Sequence, residues 1–366
     1  MKLFIAATPY NLFNYINLKI NFFPNEDIDI VISNFDSRNE QYYKNVKELK
    51  LFKNVYFVEQ KGFDYNRLVP NKIKRFIRKV FCELKNRYLY NSYFKKYCSE
   101  MDYNKKYDEI YTDAFGFMPR FIFNHYHSNN KNIKVYKVDC GVECYYDNIL
   151  SRKNKFMCNR IQKKLCGYYL YSKELANVGG YDVIELPKVN VKDKKFVDLI
   201  NKIFEYKDEK IKLKQDKFLF LDQCLDDLPE VDSIEQDIVD VLKETAKDNF
   251  CVKLHPRTSE NNERYKDVEK VKTSSTFEIL CLNKPELFNT KIITPFSTAA
   301  VLPKLLFDEE PQIICLTKLF TQKHAEAELM TEFFKKVKDT YKDPNKVVII
   351  ENLDDFKVKL KKRISK

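Results

Sequence analysis

The chain has 366 residues, of which 44% are hydrophobic and 32% charged, with a net charge of +12 at pH 7. That length suits two domains with separate cores, and that hydrophobic content excludes a disordered chain. No run of eighteen apolar residues argues for a membrane span, and the six glycines never fall in the series that a GxGxxG or Walker loop requires, which argues against a dinucleotide-dependent enzyme or a P-loop NTPase.

The opening stretch MKLFIAATPYNLFNYINL has one lysine, then a short apolar run interrupted by Pro9, Tyr10 and Asn11. It reads as a first β-strand, 2–7, of a cytoplasmic protein rather than a signal peptide. Further short apolar runs predict strands at 28–33, 54–58, 108–112, 133–138 and 168–171, then at 217–222, 250–254, 291–294, 312–316 and 347–350. Continuous apolar strands are what a parallel sheet covered on both faces requires. Helical periodicity lies between them, at 38–50, 70–98, 116–127, 233–247, 275–282, 298–306 and 322–340. The alternation predicts an α/β fold with two parallel-sheet domains. The polar stretch EYKDEKIKLKQDK at 205–217 sets the expected boundary. An N-terminal domain then spans 1–205 and a C-terminal domain 206–350, followed by a basic amphipathic tail or helix at 351–366.

The predicted helix over 70–98 carries Ile73, Phe76, Ile77, Val80, Phe81, Leu84 and Tyr88 at helical spacing, surrounded by lysines and arginines. Such a stripe packs on a sheet in most proteins; the other reading is peripheral contact with an anionic membrane. The ten cysteines form no CxxC pair. Cys140 and Cys144 are the closest in sequence, with no second pair or nearby histidine, so the spacing reads as reduced, mostly buried thiols rather than a zinc site.

In an open parallel sheet, ligands sit beyond the carboxyl ends of the strands. The predicted strands end at Thr8-Pro9-Tyr10-Asn11, Asp113, Asp139-Cys140-Gly141, Asp222-Gln223, His255-Pro256-Arg257 and Ser297-Thr298. These tips are expected to converge on one interdomain cleft. His255 is one of four histidines and stands near Lys253 and Arg257, which favour an anion; its plain reading is a satisfied loop histidine. Ser297 or Thr298 can cap the helix that follows, and the same helix start can hold a phosphate. Asp139 can act as a general base or simply form an Asx-turn.

In order and rough spacing, VDCG at 138–141, KLHPR at 253–257 and FSTA at 296–299 resemble the three short motifs of bacterial sialyltransferases: Asp/Glu-Asp/Glu-Gly, His-Pro and Ser-Ser/Thr. The opening AATPYNLFNYINL resembles the start of the lipooligosaccharide sialyltransferases, glycosyltransferase family 52. The resemblance implies two Rossmann-like domains facing each other (glycosyltransferase B type) and a CMP-sialic acid donor. The acceptor would be a terminal sugar, galactose by expectation, on a surface glycan such as lipooligosaccharide or capsule. It implies Asp139 as base and His255 as the group that protonates or stabilises the leaving phosphate. Ser297 and Thr298 would bind that phosphate, alongside Lys253, Pro256 and Arg257. Asp222 and Gln223 would touch nucleotide or sugar. Thr8, Tyr10, Asn11 and Gly141 would hold substrate on the first domain.

The second acidic position of the first motif is Cys140 here, which is not expected to be needed for catalysis. In some family members the proposed base lies shortly before His-Pro, where this chain has Asp222, Asp226, Asp227, Glu230 and Asp232. The scheme requires no metal cofactor, and the one close DxD, Asp27-Ile28-Asp29, leads into a strand instead of ending one. The expected partners are a nucleotide-sugar donor, a lipid-linked glycan acceptor and the inner face of a cytoplasmic membrane; a homodimer is compatible and nucleic acid is not expected. Two alternatives stay open: transfer of another sugar such as glucose from a different nucleotide donor, and, from the positive charge alone, a nucleic-acid-binding protein.

Overall fold

The computed structural model describes residues 1–59, 80–81, 84, 88–146, 159–207, 217–223, 229–255, 257–321 and 327–364. The chain divides into two compact units, Met1–Pro187 with Asp198–Glu205, and Lys188–Val197 with Tyr206–Lys366. The segment Lys188–Val197 therefore belongs with the C-terminal part of the chain, where the Val189 N–H donates to Leu306 O at 2.7 Å.

The first unit holds seven strands: β1 (Lys2–Ala6), β2 (Ile28–Ser33), β3 (Asn54–Val58), β4 (Glu109–Thr112), β5 (Lys134–Val138), β6 (Leu165–Leu170) and β7 (Asp182–Glu185). Their order is β3-β2-β1-β4-β5-β6-β7, and every pairing is parallel. The second unit holds six: β8 (Phe218–Leu221), β9 (Phe250–Lys253), β10 (Glu269–Lys270), β11 (Lys291–Thr294), β12 (Gln312–Cys315) and β13 (Val347–Ile349). They run β10-β9-β8-β11-β12-β13, again all parallel. Both are doubly wound sheets whose strand order reverses at one place, β1/β4 in the first and β8/β11 in the second. A crevice for a ligand opens at such a reversal.

Both faces of each sheet are covered, which explains the continuous apolar strands. In the first unit Leu3, Ile5, Ile110 and Val135 are fully buried together with Met118, Phe121 and Ile122 of the helix Phe117–Asn129. In the second, Phe218, Phe220, Val252 and Ile293 pack with Ile238, Val239 and Leu242 of the helix Pro229–Thr245. The 351–366 tail forms the helix Leu353–Ile364, and its Phe356 and Leu360 are buried in that same core.

Several elements differ from expectation. Pro9, read as interrupting the apolar run after the first strand, opens the helix Pro9–Asn21. A proline in the first helical turn loses no hydrogen bond, because that N–H has no intrahelical partner. The short strands β7 and β10, each at a sheet edge, lack an apolar run. Gly167 of β6 makes the β7 pairing possible, since a Cβ there would meet Asp182 O at 2.7 Å. The helix expected over 298–306 is a 3-10 turn, Thr298–Val301, followed by the short helix Leu302–Phe307. Most of the helix expected over 70–98 lies outside the described residues. Of its stripe, Val80, Phe81, Leu84 and Tyr88 are described and exposed, and the segment ends in the helix Tyr90–Tyr97. No helix among the described residues is long and apolar enough to cross a membrane.

Candidate active site

In the first unit, Asp139 follows β5 and is completely buried. Its Oδ1 accepts hydrogen bonds from the Tyr10 hydroxyl at 3.1 Å and the Gly141 N–H at 2.9 Å. The Tyr145 hydroxyl also lies beside the carboxylate, yet Oδ2 makes no hydrogen bond of sound geometry among the described residues. Burial pushes this carboxyl above the usual range, against the pull of Tyr145, Gly141 and Tyr10. A carboxylate with raised basicity and an unused oxygen is what a general base needs.

The surroundings of Asp139 form one polar network. Asn14 Nδ2 donates to Asp139 O at 2.9 Å, the Tyr171 hydroxyl donates to Asn14 Oδ1 at 2.8 Å, and the Tyr171 N–H donates to the Tyr145 hydroxyl at 3.2 Å. Gly141 has φ 105, a backbone region open to glycine at little cost, and this aims its N–H back at the carboxylate. Tyr10, expected to touch substrate, thus spends its hydroxyl on Asp139. Thr8 and Asn11 are likewise committed. Thr8 caps the helix Pro9–Asn21, its Oγ1 accepting from the Asn11 N–H at 3.2 Å, while Asn11 Oδ1 accepts from the Thr8 N–H at 3.0 Å. Asp113, at the end of β4 beside β5, also has its carboxyl pushed up by burial. Near it the buried Lys137 places its ammonium 4.5 Å from the Phe115 ring centroid.

The reading of all cysteines as reduced thiols needs correction at one place. Cys140 and Cys144 are joined by a disulfide, with their Cα atoms 6.0 Å apart. Five other described cysteines, Cys98, Cys166, Cys251, Cys281 and Cys315, are free.

In the second unit, the tips of β9, β8 and β11 are neighbours on one sheet edge. Asp222, after β8, is buried, and both of its oxygens are used. Oδ2 accepts from the His255 N–H at 2.8 Å, and Oδ1 accepts from the Tyr265 hydroxyl at 2.6 Å. Asp222 therefore fixes the loop that carries His255, with one protein donor on each of its oxygens. Behind it, Glu235 accepts from the Gln223 N–H at 3.2 Å and pairs with Arg264 at 2.8 Å. Burial, then the charge of Asp222, push Glu235 up to about 8 despite Arg264. Gln223 Oε1 is buried with no hydrogen-bond partner among the described residues.

His255 is half-buried, and its Nδ1 accepts from the Arg257 N–H at 3.2 Å. That bond requires a lone pair on Nδ1, so the ring proton sits on Nε2. Burial and then the Arg257 charge hold the imidazole below its ordinary pKa. His255 is thus a neutral ring offering an Nε2–H, better suited to donating a hydrogen bond than to giving up a proton. Lys253 ends β9 with its carbonyl accepting from the Asp222 N–H at 3.1 Å. Arg257 is exposed, and Pro256 lies outside the described residues. Ser297 follows β11. Its N–H donates to the buried Thr294 Oγ1 at 2.7 Å, and its own Oγ accepts from the Ala299 N–H at 3.4 Å. The half-buried Thr298 hydroxyl makes no hydrogen bond among the described residues.

Each unit thus gathers its own predicted residues at one sheet edge. Of the alternative bases, Asp232 is ion-paired with Arg264, while Asp226, Asp227 and the Glu230 side chain lie outside the described residues. Asp27 pairs with Lys53, and the buried Asp29 pairs with Lys105 at 2.5 Å, so that DxD is spent on structure. No group of three or more potential metal ligands occurs among the described residues. The sequence reading missed Tyr145, Asn14, Tyr171, Tyr265, Glu235 and Arg264. Only Tyr145 carried a signal, lying six residues beyond Asp139 at the end of the short helix Val142–Tyr145.

No family model matches the chain. Protein Ycf2 of Physcomitrium patens is 30% identical over 192 residues, 49% of this chain but only 7% of that protein, so the chain spans a small fraction of the curated relative it matches. Solved structures are similar over the whole chain. UDP-GlcNAc 2-epimerase from Methanocaldococcus jannaschii aligns with a TM-score of 0.54 and 14% identity, covering 100% of this chain and 92% of that one. The glycotransferase of kitacinnamycin aligns at 0.52 and 10%, covering 100% and 91%. Arabidopsis thaliana UGT89C1 complexed with UDP-L-rhamnose aligns at 0.54 and 9%, covering 100% and 89%. At these identities the likeness is one of fold: two parallel-sheet α/β domains of the glycosyltransferase B class.

Proposed function

We propose that the chain is an inverting glycosyltransferase that moves sialic acid from CMP-sialic acid to a sugar hydroxyl on a surface glycan. The observation that carries the reading is Asp139: a buried carboxylate at a strand tip, with raised basicity and one oxygen that makes no hydrogen bond of sound geometry among the described residues. Asp139 Oδ2 takes the proton of the acceptor hydroxyl as that oxygen attacks the anomeric carbon. The bond from that carbon to the CMP phosphate oxygen breaks on the opposite side, and the configuration inverts. The neutral His255 donates its Nε2–H to the departing phosphate, and the Thr298 hydroxyl is a second donor for it. His255 is held in place through its N–H and its Nδ1, and such preorganised donors stabilise charge as it develops without reorganisation at the moment of reaction.

The choice of sialic acid rests on the motif resemblance at 138–141, 253–257 and 296–299. A second reading, transfer from a UDP-sugar, draws on the neighbour complexed with UDP-L-rhamnose. A donor screen separates them: acceptor-dependent release of CMP from CMP-sialic acid against release of UDP from UDP-glucose and UDP-galactose, each with and without EDTA. CMP release that survives EDTA is expected. Release of UDP alone overturns the sialyl reading, and a loss restored by Mg²⁺ or Mn²⁺ overturns the leaving-group chemistry.

A further inference from the structure

We propose that Cys140 and Cys144 form a reversible dithiol–disulfide pair whose oxidised state holds the Asp139 carboxylate in its hydrogen-bonded geometry, so that small-molecule disulfides raise the transfer rate and thiols lower it. This deepens the proposed function and rests on Asp139 being its base.

The bond encloses the loop that shapes the base. Cys140 directly follows Asp139, and Cys144 lies four residues further on. Inside the ring stands Gly141, held at φ 105 with its N–H on Asp139 Oδ1 and its carbonyl accepting from the Cys144 N–H at 3.1 Å. Immediately outside it stands Tyr145, whose hydroxyl lies beside the same carboxylate. Glycine is the residue with most freedom to leave such a conformation once a constraint is removed. So short a loop removes little entropy from the unfolded chain, which makes stability a poor reason for the bond.

The reduced state also has a place in the fold. Cys144 Sγ lies 3.5 Å from Val138 O, so its thiol has an acceptor once the bond is broken. Cys140 is half-buried whereas Cys144 is 1% exposed, which makes Cys140 the point of entry. With glutathione disulfide as oxidant, the Cys140 thiolate attacks one glutathione sulfur and expels a glutathione thiolate. The Cys144 thiolate then attacks Cys140 Sγ and expels the second. Two protons leave the cysteines, and their two electrons reduce glutathione disulfide to two thiols. Dithiothreitol runs the exchange in reverse.

Opening the ring loosens the Gly141 donor, one of the groups that favour ionised Asp139. The other groups facing it are the Tyr10 and Tyr145 hydroxyls and the Tyr171 backbone N–H directly, with Asn14 and the Tyr171 hydroxyl through the network, and none of them lies inside the ring. Reduction therefore raises the Asp139 pKa and moves the acid limb of the pH–rate profile upward.

The test treats the full chain with glutathione disulfide or dithiothreitol, quenches it in acid, alkylates it in denaturant and maps the peptides, with the exposed free Cys166 as the alkylation control. The Asp139 carboxyl is titrated in parallel by carbon NMR, assigned with Asp139→Asn. Expected are a bond between Cys140 and Cys144 in the oxidised sample and an Asp139 pKa higher by about half a unit or more in the reduced one. On the acid limb of the pH–rate profile, transfer in the reduced sample should be about threefold slower or more, because a rise of about half a unit in the Asp139 pKa removes that share of the ionised base. Cys140→Ser should titrate like the reduced protein and ignore dithiothreitol. The proposal is overturned if both cysteines alkylate after glutathione disulfide, if Asp139 titrates alike in both states, or if Cys140→Ser titrates like the oxidised protein. Should no donor support transfer, the proposed function falls, and the titration still decides this inference.

Discussion

Asp139 and Asp222 both follow a strand and both are buried, yet their oxygens are used differently. Asp222 holds the His255 N–H and the Tyr265 hydroxyl, one on each oxygen, whereas Asp139 Oδ2 makes no hydrogen bond of sound geometry among the described residues. Asp139→Asn is therefore expected to lower kcat by about 10²–10⁴-fold with little change in donor KM, read as CMP release. Full activity in a folded Asp139→Asn variant would move the base elsewhere. His255→Ala removes a donor to the leaving phosphate and should cost about 10²–10³-fold in kcat, with an unchanged urea midpoint; wild-type turnover would sink that assignment. The sequence made both positions legible because a polar residue ending an apolar strand in a parallel sheet must stand at the ligand edge. It could not reveal that Tyr10 serves Asp139, 129 residues away, or that Tyr265 steadies Asp222 across 43 residues. Those contacts come from helix and loop packing, which no local spacing encodes.

At the scale of elements, the helix Pro9–Asn21 carries Tyr10 and Asn14 to the Asp139 network, and Thr8 starts it. Thr8→Ala removes the cap and should lower stability by about 1 kcal/mol, as caps of this kind do; urea denaturation checks this, and an unchanged midpoint would return Thr8 to the list of substrate contacts. This helix was hidden from the sequence reading because Pro9 was taken as a break, although a proline breaks a helix only beyond its first turn. Strands were easier to read, since β1, β2, β3, β8, β9, β11 and β12 are apolar runs buried on both faces. The edge strands β7 and β10 were missed because pairing to one neighbour, not hydrophobicity, defines them.

Over the whole molecule, buried imidazoles link stability to pH. His125 is completely buried, stacked 3.7 Å from the Phe94 ring, with Nδ1 and Nε2 each 2.9 Å from an oxygen, Asn91 Oδ1 and Tyr103 O. Burial lowers its pKa in the fold. The unfolded chain thus binds the proton more readily, so the stability His125 confers is full above about pH 6.5 and is lost as pH falls through the folded value. Urea unfolding followed from pH 7.5 to 5.5 should show a smaller decline in His125→Gln than in the wild type; equal declines would assign the pH dependence to other groups. The presence of two parallel-sheet domains was legible from the alternation of strands and helices, but the grouping of Lys188–Val197 with the second unit was not, because its partner Leu306 lies more than a hundred residues ahead. That grouping has a consequence during synthesis. The helix Lys194–Phe204 begins in one unit and ends in the other, so when Glu205 leaves the ribosome the first unit has all its pieces while Lys188–Val197 has nothing to dock on. At about 5–20 residues per second, the nascent chain carries this undocked segment for roughly five to twenty seconds before the Leu305–Leu306 region has emerged. For that interval its apolar side chains, Val189 and Phe196 among them, are the natural target of a chaperone.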